Sequence, residues 1–337
     1  MDFTEYLDLA AERLGGRVLA ANDEFFAPKE NLLKAAAPLW IADKYTNVGK
    51  WMDGWETRRR RTPGHDWCIV KLGLPGVVHG VVVDTSHFKG NYPESCEIET
   101  CALKGDPTVS QLEDRSTEWN ALLPKSPLAG DAQNSFPLSP SSKATHLRLK
   151  IYPDGGVARL RVHGEVAPDW PALERAGGDI DLIAVEHGGW VIVSSDMFFG
   201  SRNNLILPGR STGMHDGWET KRRRGPGHDW CIVRLGATGT IHRVEVDTAF
   251  FKGNFPESCS LEVASAPREL TDAHRLAVLP WKEILPRTKL KADSVHVYKQ
   301  ELLASGEVTH IRLHIYPDGG VARLRVYGEI AKKALPR

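Results

Sequence analysis

The densest run of chemistry-bearing side chains spans residues 53–61, Asp-Gly-Trp-Glu-Thr-Arg-Arg-Arg-Arg, and returns at 216–224 as Asp-Gly-Trp-Glu-Thr-Lys-Arg-Arg-Arg. In an extended chain Glu56, Arg58 and Arg60 share one face, and Trp55, Thr57, Arg59 and Arg61 the other. At least one Arg in each segment then points toward the folded body or a cleft beside it. A guanidinium so placed grips a carboxylate through two parallel hydrogen bonds, which an ammonium does less well. The alternative is a solvated edge strand protected by its charge.

Two further clusters follow. Gly64-His65-Asp66-Trp67 and its mate Gly227-His228-Asp229-Trp230 stand at the mouth of a strand. Imidazole titrates near neutrality, so His65 and His228 suit general acid or base work, although neighbours in a strand face opposite ways and a direct His65 to Asp66 contact is not expected. A histidine that merely hydrogen-bonds a loop is the competing reading. The third cluster joins Asp84 to Lys89, Asn91 and Glu94, and Asp247 to Lys252, Asn254 and Glu257, in loops punctuated by Gly and Pro. Loops of that kind on a rigid scaffold are where ligand contacts concentrate. No HxH, HExxH or CxxC pattern accompanies these residues, so no metal ligand is assigned; a divalent metal is chemically conceivable but unsupported. No hydrolase elbow or phosphate-cradling Gly loop occurs, and Cys68 and Cys231 read as small core residues within Trp-Cys-Ile-Val strands.

What must position these groups is a duplicated unit. Residues 53–70 and 216–233 agree at 16 of 18 positions at an offset of 163, and residues 145–165 match 309–329 at an offset of 164. Nearer the start, Leu7-Asp8-Leu9 and Asp23 match Ile180-Asp181-Leu182 and Asp196 at an offset of 173, so the first copy carries about ten extra residues before Asp53. Residues 1–166 form the first repeat and 180–337 the second, with the Pro- and Gly-bearing stretch 167–179 as linker. The spans 104–144 and 268–308 diverge between otherwise matched blocks.

Alternation of apolar and polar residues predicts strands at 145–152, 157–162, 66–72, 77–84 and 97–103, with counterparts in the second copy. Leu147, Leu149 and Ile151 face one way and His146, Arg148 and Lys150 the other. Residues 152–156, Tyr-Pro-Asp-Gly-Gly, read as the bend of a hairpin. Helical pattern is confined to residues 2–14, with Asp2 as cap and Glu5 closing a capping box, and to short spacer stretches. The fold class is therefore all-β with little helix: two tandem jelly-roll β-sandwich repeats.

Composition agrees. Lys plus Arg and Asp plus Glu both number 43, so the chain lacks the basic excess of a nucleic-acid or membrane-surface binder. Five Cys without paired spacing suit a reducing cytoplasm, and no apolar run approaches the roughly 18 residues of a membrane span.

The segments DGWETRRRR, GHDWCIVKLG, DTSHFKGN with DTAFFKGNFP, and THLRLKIYPDGGVARLRVHGE resemble the allantoicase family over both repeats, from about residue 7 to residue 331. The resemblance implies two related jelly-roll modules of the galactose-binding-like kind. It also implies a hydrolase of purine catabolism: in allantoin degradation, allantoate yields (S)-ureidoglycolate and urea. The sequence itself requires no cofactor, and the expected partners are the small-molecule substrate and further copies of the chain, as a homo-oligomer, with neither nucleic acid nor membrane.

Allantoate carries a carboxylate and two ureido groups on one carbon. Arg58, Arg60, Arg222 and Arg223 are candidates to hold the carboxylate; Trp55, Lys89, Trp218 and Lys252 complete the binding set. Glu56, His65, Asp66 and Asp84, with Glu219, His228, Asp229 and Asp247, are candidates for acid and base. Asn91, Glu94, Asn254 and Glu257 are candidates to pair the ureido groups, since buried polar groups left unpaired are costly. A non-catalytic ligand- or carbohydrate-binding tandem sandwich is the alternative, because fold alone does not separate the two. Each copy carries a full set of Arg, carboxylate, His and amide groups, which favours one site per repeat over a composite site.

Overall fold

The computed structural model describes residues 2–331. By its contacts the chain divides into Met1–Ala167 and Pro168–Arg337.

In the first unit the elements are β1 (Leu7–Asp8), β2 (Arg17–Ala21), β3 (Tyr45–Thr46), β4 (Gly49–Lys50), β5 (Trp55–Glu56), β6 (Asp66–Asp84), β7 (Ser95–Cys101), α1 (Val109–Glu113), β8 (Asn120–Pro127), β9 (Gln133–Pro137), β10 (Lys143–Tyr152), β11 (Gly156–Val157) and β12 (Arg159–Val166). β6 organises them. Its first half, from Asp66 to Lys71, pairs with β10 and β2; its second half pairs with β12 and, from Gly80 to Asp84, with β9. The two expected strands at 66–72 and 77–84 are thus one strand of 19 residues. Between its halves, Gly73, Pro75 and Gly76 let the strand change layers, and Gly73 is indispensable to the close approach: a Cβ there would meet the Leu14 carbonyl oxygen at 2.7 Å. All pairings are antiparallel, and the result is a β-sandwich.

Side chains from both layers fill the space between them. Cys68, Val70, Val81, Val83, Ile98, Leu147, Leu149, Ile151, Leu160 and Val162 are fully buried in one cluster with Trp55. A smaller cluster of Ile69, Cys101 and Leu112 lies under α1. His146, on the outer face of its strand, is itself buried, and burial lowers its pKa to about 4.

The second unit repeats the plan. It holds α2 (Trp170–Ala176), β13 (Ile180–Asp181), β14 (Trp190–Ser194), β15 (Trp218–Glu219), β16 (Asp229–Asp247), β17 (Ser258–Ala264), α3 (Ala273–Ala277), β18 (Lys282–Lys289), β19 (Val295–Tyr298), β20 (Glu307–Tyr316), β21 (Gly320–Val321) and β22 (Arg323–Ile330). β16, again of 19 residues, pairs with β20 and β14 at its start and with β22 and β19 at its end.

Two expectations are corrected. Residues 2–14 form no α-helix; two 3₁₀ turns flank β1, whose Leu7 and Asp8 pair with Gly164 and His163. Asp2 still caps, accepting from the Thr4 amide, but cross-strand pairing overrides the local helical pattern. Residues 152–156 are not a hairpin bend. β10 and β12 do not pair with each other, because β6 occupies one edge of each, and the loop carries the chain from one layer to the other. The 167–179 stretch holds α2, capped by Asp169.

Candidate active site

The crossover loop has a second task. Its backbone clasps the segment that carries Glu56 and the arginines: the Thr57 amide donates to Gly155 O at 3.1 Å, and the Gly155 amide donates to Thr57 Oγ1 at 3.1 Å. The Arg60 amide donates to the Asp154 carboxylate at 2.8 Å. Thr220, Gly319, Arg223 and Asp318 repeat the set at 3.1, 3.1 and 2.8 Å. The start of the segment is fixed by a buried ion pair, Asp53 to Arg159 at 2.7 Å. Burial would raise the Asp53 pKa, but hydrogen bonds from Arg159, Lys34 and the Leu39 amide outweigh it and hold the carboxyl below its ordinary range.

Held this way, Glu56 faces a cavity of about 640 Å³ walled by Phe26, Trp40, Lys50, Met52, His87, Lys89, Gly90, Asn91 and Asp131. Asn91 Nδ2 donates to Glu56 Oε1 at 2.7 Å. Burial raises the Glu56 pKa, and the Asn91 hydrogen bond only partly offsets it. In the second repeat Asn254 donates to Glu219 at 2.5 Å, on the wall of a cavity of about 600 Å³ that also exposes Phe199, Arg222, Arg223, Gly253, Glu257 and Lys289. The equivalent positions Phe26, Glu56, Gly90 and Asn91 in one repeat and Phe199, Glu219, Gly253 and Asn254 in the other line both cavities.

Of the remaining expected residues, Lys89 lines the first cavity and Arg222, Arg223 and Glu257 the second, and the others lie elsewhere. Trp55 and Trp218 are fully buried, each indole donating to a backbone carbonyl, Asp23 O or Asp196 O, at 2.8 Å; they anchor the segment and offer no face to a ligand. Arg58 is held by Asp23 through its Nε at 2.7 Å. Arg60 is paired to Asp66 at 2.6 Å and Arg223 to Asp229 at 2.6 Å. Asp66 and Asp229 are buried and also accept from Asn22 Nδ2 and Ser195 Oγ, so their carboxylates balance guanidiniums and face no cavity opening. Arg222 differs: it is exposed on the cavity wall with no ion pair among the described residues.

Asp84 and Asp247 are likewise buried, and each closes its loop by accepting the amide two residues on, Ser86 at 2.8 Å and Ala249 at 2.7 Å. Lys89 is exposed on the first cavity, loosely paired to Asp131 at 3.7 Å, whereas Lys252 is exposed on its loop. Glu94 is exposed beside Asn91, and Glu257 is paired to Arg287 at 2.8 Å. His65 lies tilted against Tyr152, ring centroids 5.0 Å apart, and walls a separate depression with Trp67, Arg148 and Lys150 that shares no residue with the Glu56 cavity. Burial, then the nearby Lys150 ammonium, hold its pKa below the ordinary value. His228 instead contacts His314, Nε2 to Nδ1 at 2.8 Å, and His314 contacts Glu262 at 2.7 Å.

Several wall residues escaped the sequence reading: Phe26, Trp40, Lys50, Met52, His87 and Asp131 in the first repeat, and Phe199, Lys289 and Asp318 in the second. One signal was available. Trp40 and Lys50 belong to the extra stretch of the first copy, Lys50 within the β3 and β4 ribbon and Trp40 ahead of it.

A family model described as the allantoicase repeat matches residues 7–167 and again 180–331. The chain is similar to a probable allantoicase 2 of Burkholderia pseudomallei, 48% identical over 327 residues and covering 97% of this chain and 95% of the relative. It is 47% identical over 324 residues to the allantoicase of Dictyostelium discoideum, covering 96% and 87%. The crystal structure of allantoicase from Saccharomyces cerevisiae superposes with a TM-score of 0.80 at 36% identity, covering 96% of this chain and 93% of that one.

Proposed function

The chain belongs to the allantoicase family and is a hydrolase of allantoate in purine breakdown, and from that premise we propose that each repeat works at its own Glu–Asn cavity. What supports the location is the recurrence of one carboxyl–carboxamide pair, Glu56 with Asn91 and Glu219 with Asn254, on a cavity wall in both repeats.

The chemistry follows from that pair. Asn91 occupies Glu56 Oε1, so a proton on the carboxyl resides on Oε2, and burial favours keeping it there. Lys89 in the first repeat and Arg222 in the second hold the substrate carboxylate. Glu56 protonates the ureido nitrogen that departs as urea; the carbon–nitrogen bond breaks as the other ureido nitrogen shares its lone pair, which leaves a carbamoyl iminium wherever no base takes that nitrogen's proton. Water adds to that carbon, its proton passes to the Glu56 carboxylate, and ureidoglycolate leaves with the acid restored. A cavity built from L-residues is chiral, so one of the two ureido groups is expected to reach Glu56 and a single enantiomer, the (S) form, to result.

This route requires no cofactor. A homo-oligomer in the cytoplasm completes the proposal: Leu39, Trp40, Ile41 and Tyr45 leave apolar surface exposed, and five buried free thiols suit a reducing compartment. No helix among the described residues is long and apolar enough to cross a membrane.

The test is urea release by purified Glu56→Gln, Glu219→Gln and the double variant. Each single change leaves a measurable part of the turnover, and the double change removes about 100-fold or more. Abolition by either single change, in a protein that remains folded by circular dichroism, refutes independent sites.

A further inference from the structure

The repeats differ at one cavity position that carries chemistry. His87 in the first corresponds to Phe250 in the second, and both adopt the left-handed backbone, with φ of 70° and 69°. Each backbone amide donates to an aspartate, Asp131 or Asp293, at 2.7 Å, so the two loops are built alike and only the side chain has changed.

The His87 ring is oriented by the first copy's extra segment. Its Nε2 lies 3.2 Å from Pro38 O, and its ring centroid lies 6.1 Å from that of Trp40. A carbonyl oxygen only accepts, so Nε2 carries a proton, and Nδ1 is the ring nitrogen left to serve as a base. Glu56 lines the same cavity, and burial raises its pKa. An acid and a base on one cavity are what the expulsion of urea can use together.

We propose that His87 is the general base of the first repeat, which makes the two repeats unequal catalysts. This rests on the Glu–Asn cavity being the site of allantoate hydrolysis. As Glu56 gives its proton to the departing ureido nitrogen, His87 Nδ1 takes the N–H proton of the ureido group that stays. Its electron pair forms the carbon–nitrogen double bond, so a neutral carbamoyl imine replaces the costlier iminium. When water adds to the carbon, its proton goes to the Glu56 carboxylate and the imidazolium returns its own to the imine nitrogen. Atoms and charge balance, and both groups end as they began. With Phe250 at this position, the second repeat has only the acid and follows the slower iminium route. The charged groups on the cavity with His87 are Glu56, Asp131, Lys50 and Lys89.

The test isolates the first repeat in a Glu219→Gln background and measures urea release from allantoate. His87→Phe installs the residue that the same backbone already carries in the second repeat, so folding is preserved. His87→Gly suits the positive φ without strain and leaves an imidazole-sized space. Both changes lower kcat about 100-fold with a smaller effect on KM. Added imidazole restores at least about tenfold to the Gly variant and nothing to the Phe variant, a response that a merely structural role does not give. If His87→Gly turns over within threefold of its background, or gains nothing from imidazole, His87 is not the base. If Glu56→Gln in the same background leaves turnover intact, the cavity assignment itself falls, independently of His87.

Discussion

Replacing Asp53 with Asn removes one charge from the buried pair that fixes the start of the Glu56 segment and changes the shape of the side chain hardly at all. The Asp53 and Arg159 side chains are 5% and 2% exposed. Breaking a buried ion pair from one side costs about 3–5 kcal/mol, because it strands the other charge. Arg159 keeps the carbonyls of Ala36, Asp53 and Ala158 at 2.7–2.9 Å, which places the expected loss near the lower end, about 3 kcal/mol. At a urea m-value of about 2 kcal/mol per molar, the unfolding midpoint of the first repeat falls by about 1.5 M. The second repeat is an internal reference: Asp216, paired to Arg323, is 15% exposed, so Asp216→Asn costs less. The pH dependence has a definite sign. The Asp53 pKa is depressed on folding, so its contribution is fully present above the unfolded value near 3.9 and is lost as pH falls through the folded one. The gap between wild type and Asp53→Asn, followed by circular dichroism in urea, is therefore complete at neutral pH and closes below about pH 4. A midpoint shift under about 0.5 M at pH 7, or a larger effect of Asp216→Asn, refutes the reasoning.

Two further outcomes follow from the cavity and the core. Lys89→Ala combined with Arg222→Ala raises KM for allantoate about tenfold or more with a smaller change in kcat, because each removes the cation assigned to the substrate carboxylate; an unchanged KM refutes both assignments. Cys68→Ala lowers stability by about 1–2 kcal/mol and leaves turnover per folded molecule intact, since the thiol is wholly buried and burial pushes its pKa far up. A folded Cys68→Ala protein without activity points instead to a thiol nucleophile.

The sandwich was legible because alternation is a local property. Leu147, Leu149 and Ile151 announce an inward face wherever their strand pairs. Which strands pair is not local, and so 152–156 read as a hairpin bend although both flanking strands lie against β6. The same boundary divides the site. Glu56, Asn91 and Lys89 could be nominated as polar groups in duplicated motifs, but Arg58 and Arg60 looked equally available until Asp23 and Asp66 were seen to hold them. Trp55 looked like a ligand platform, and only packing shows that the core encloses it. His87 and Asp131 are 44 residues apart, and no spacing rule connects them. The first copy's extra residues were visible as a length difference, yet their position over the cavity depends on contacts such as Pro38 O to His87.

The clasp between Thr57 and Gly155 spans 98 residues, and that between Thr220 and Gly319 spans 99. On a ribosome, Glu56 therefore emerges long before the loop that holds its segment in place. Neither cavity takes shape until nearly all of its repeat has been synthesised, so loop-closure entropy must be paid late. The first repeat can complete its clasp while the second is still being made, so a ribosome-bound chain would hold one finished cavity before it held two.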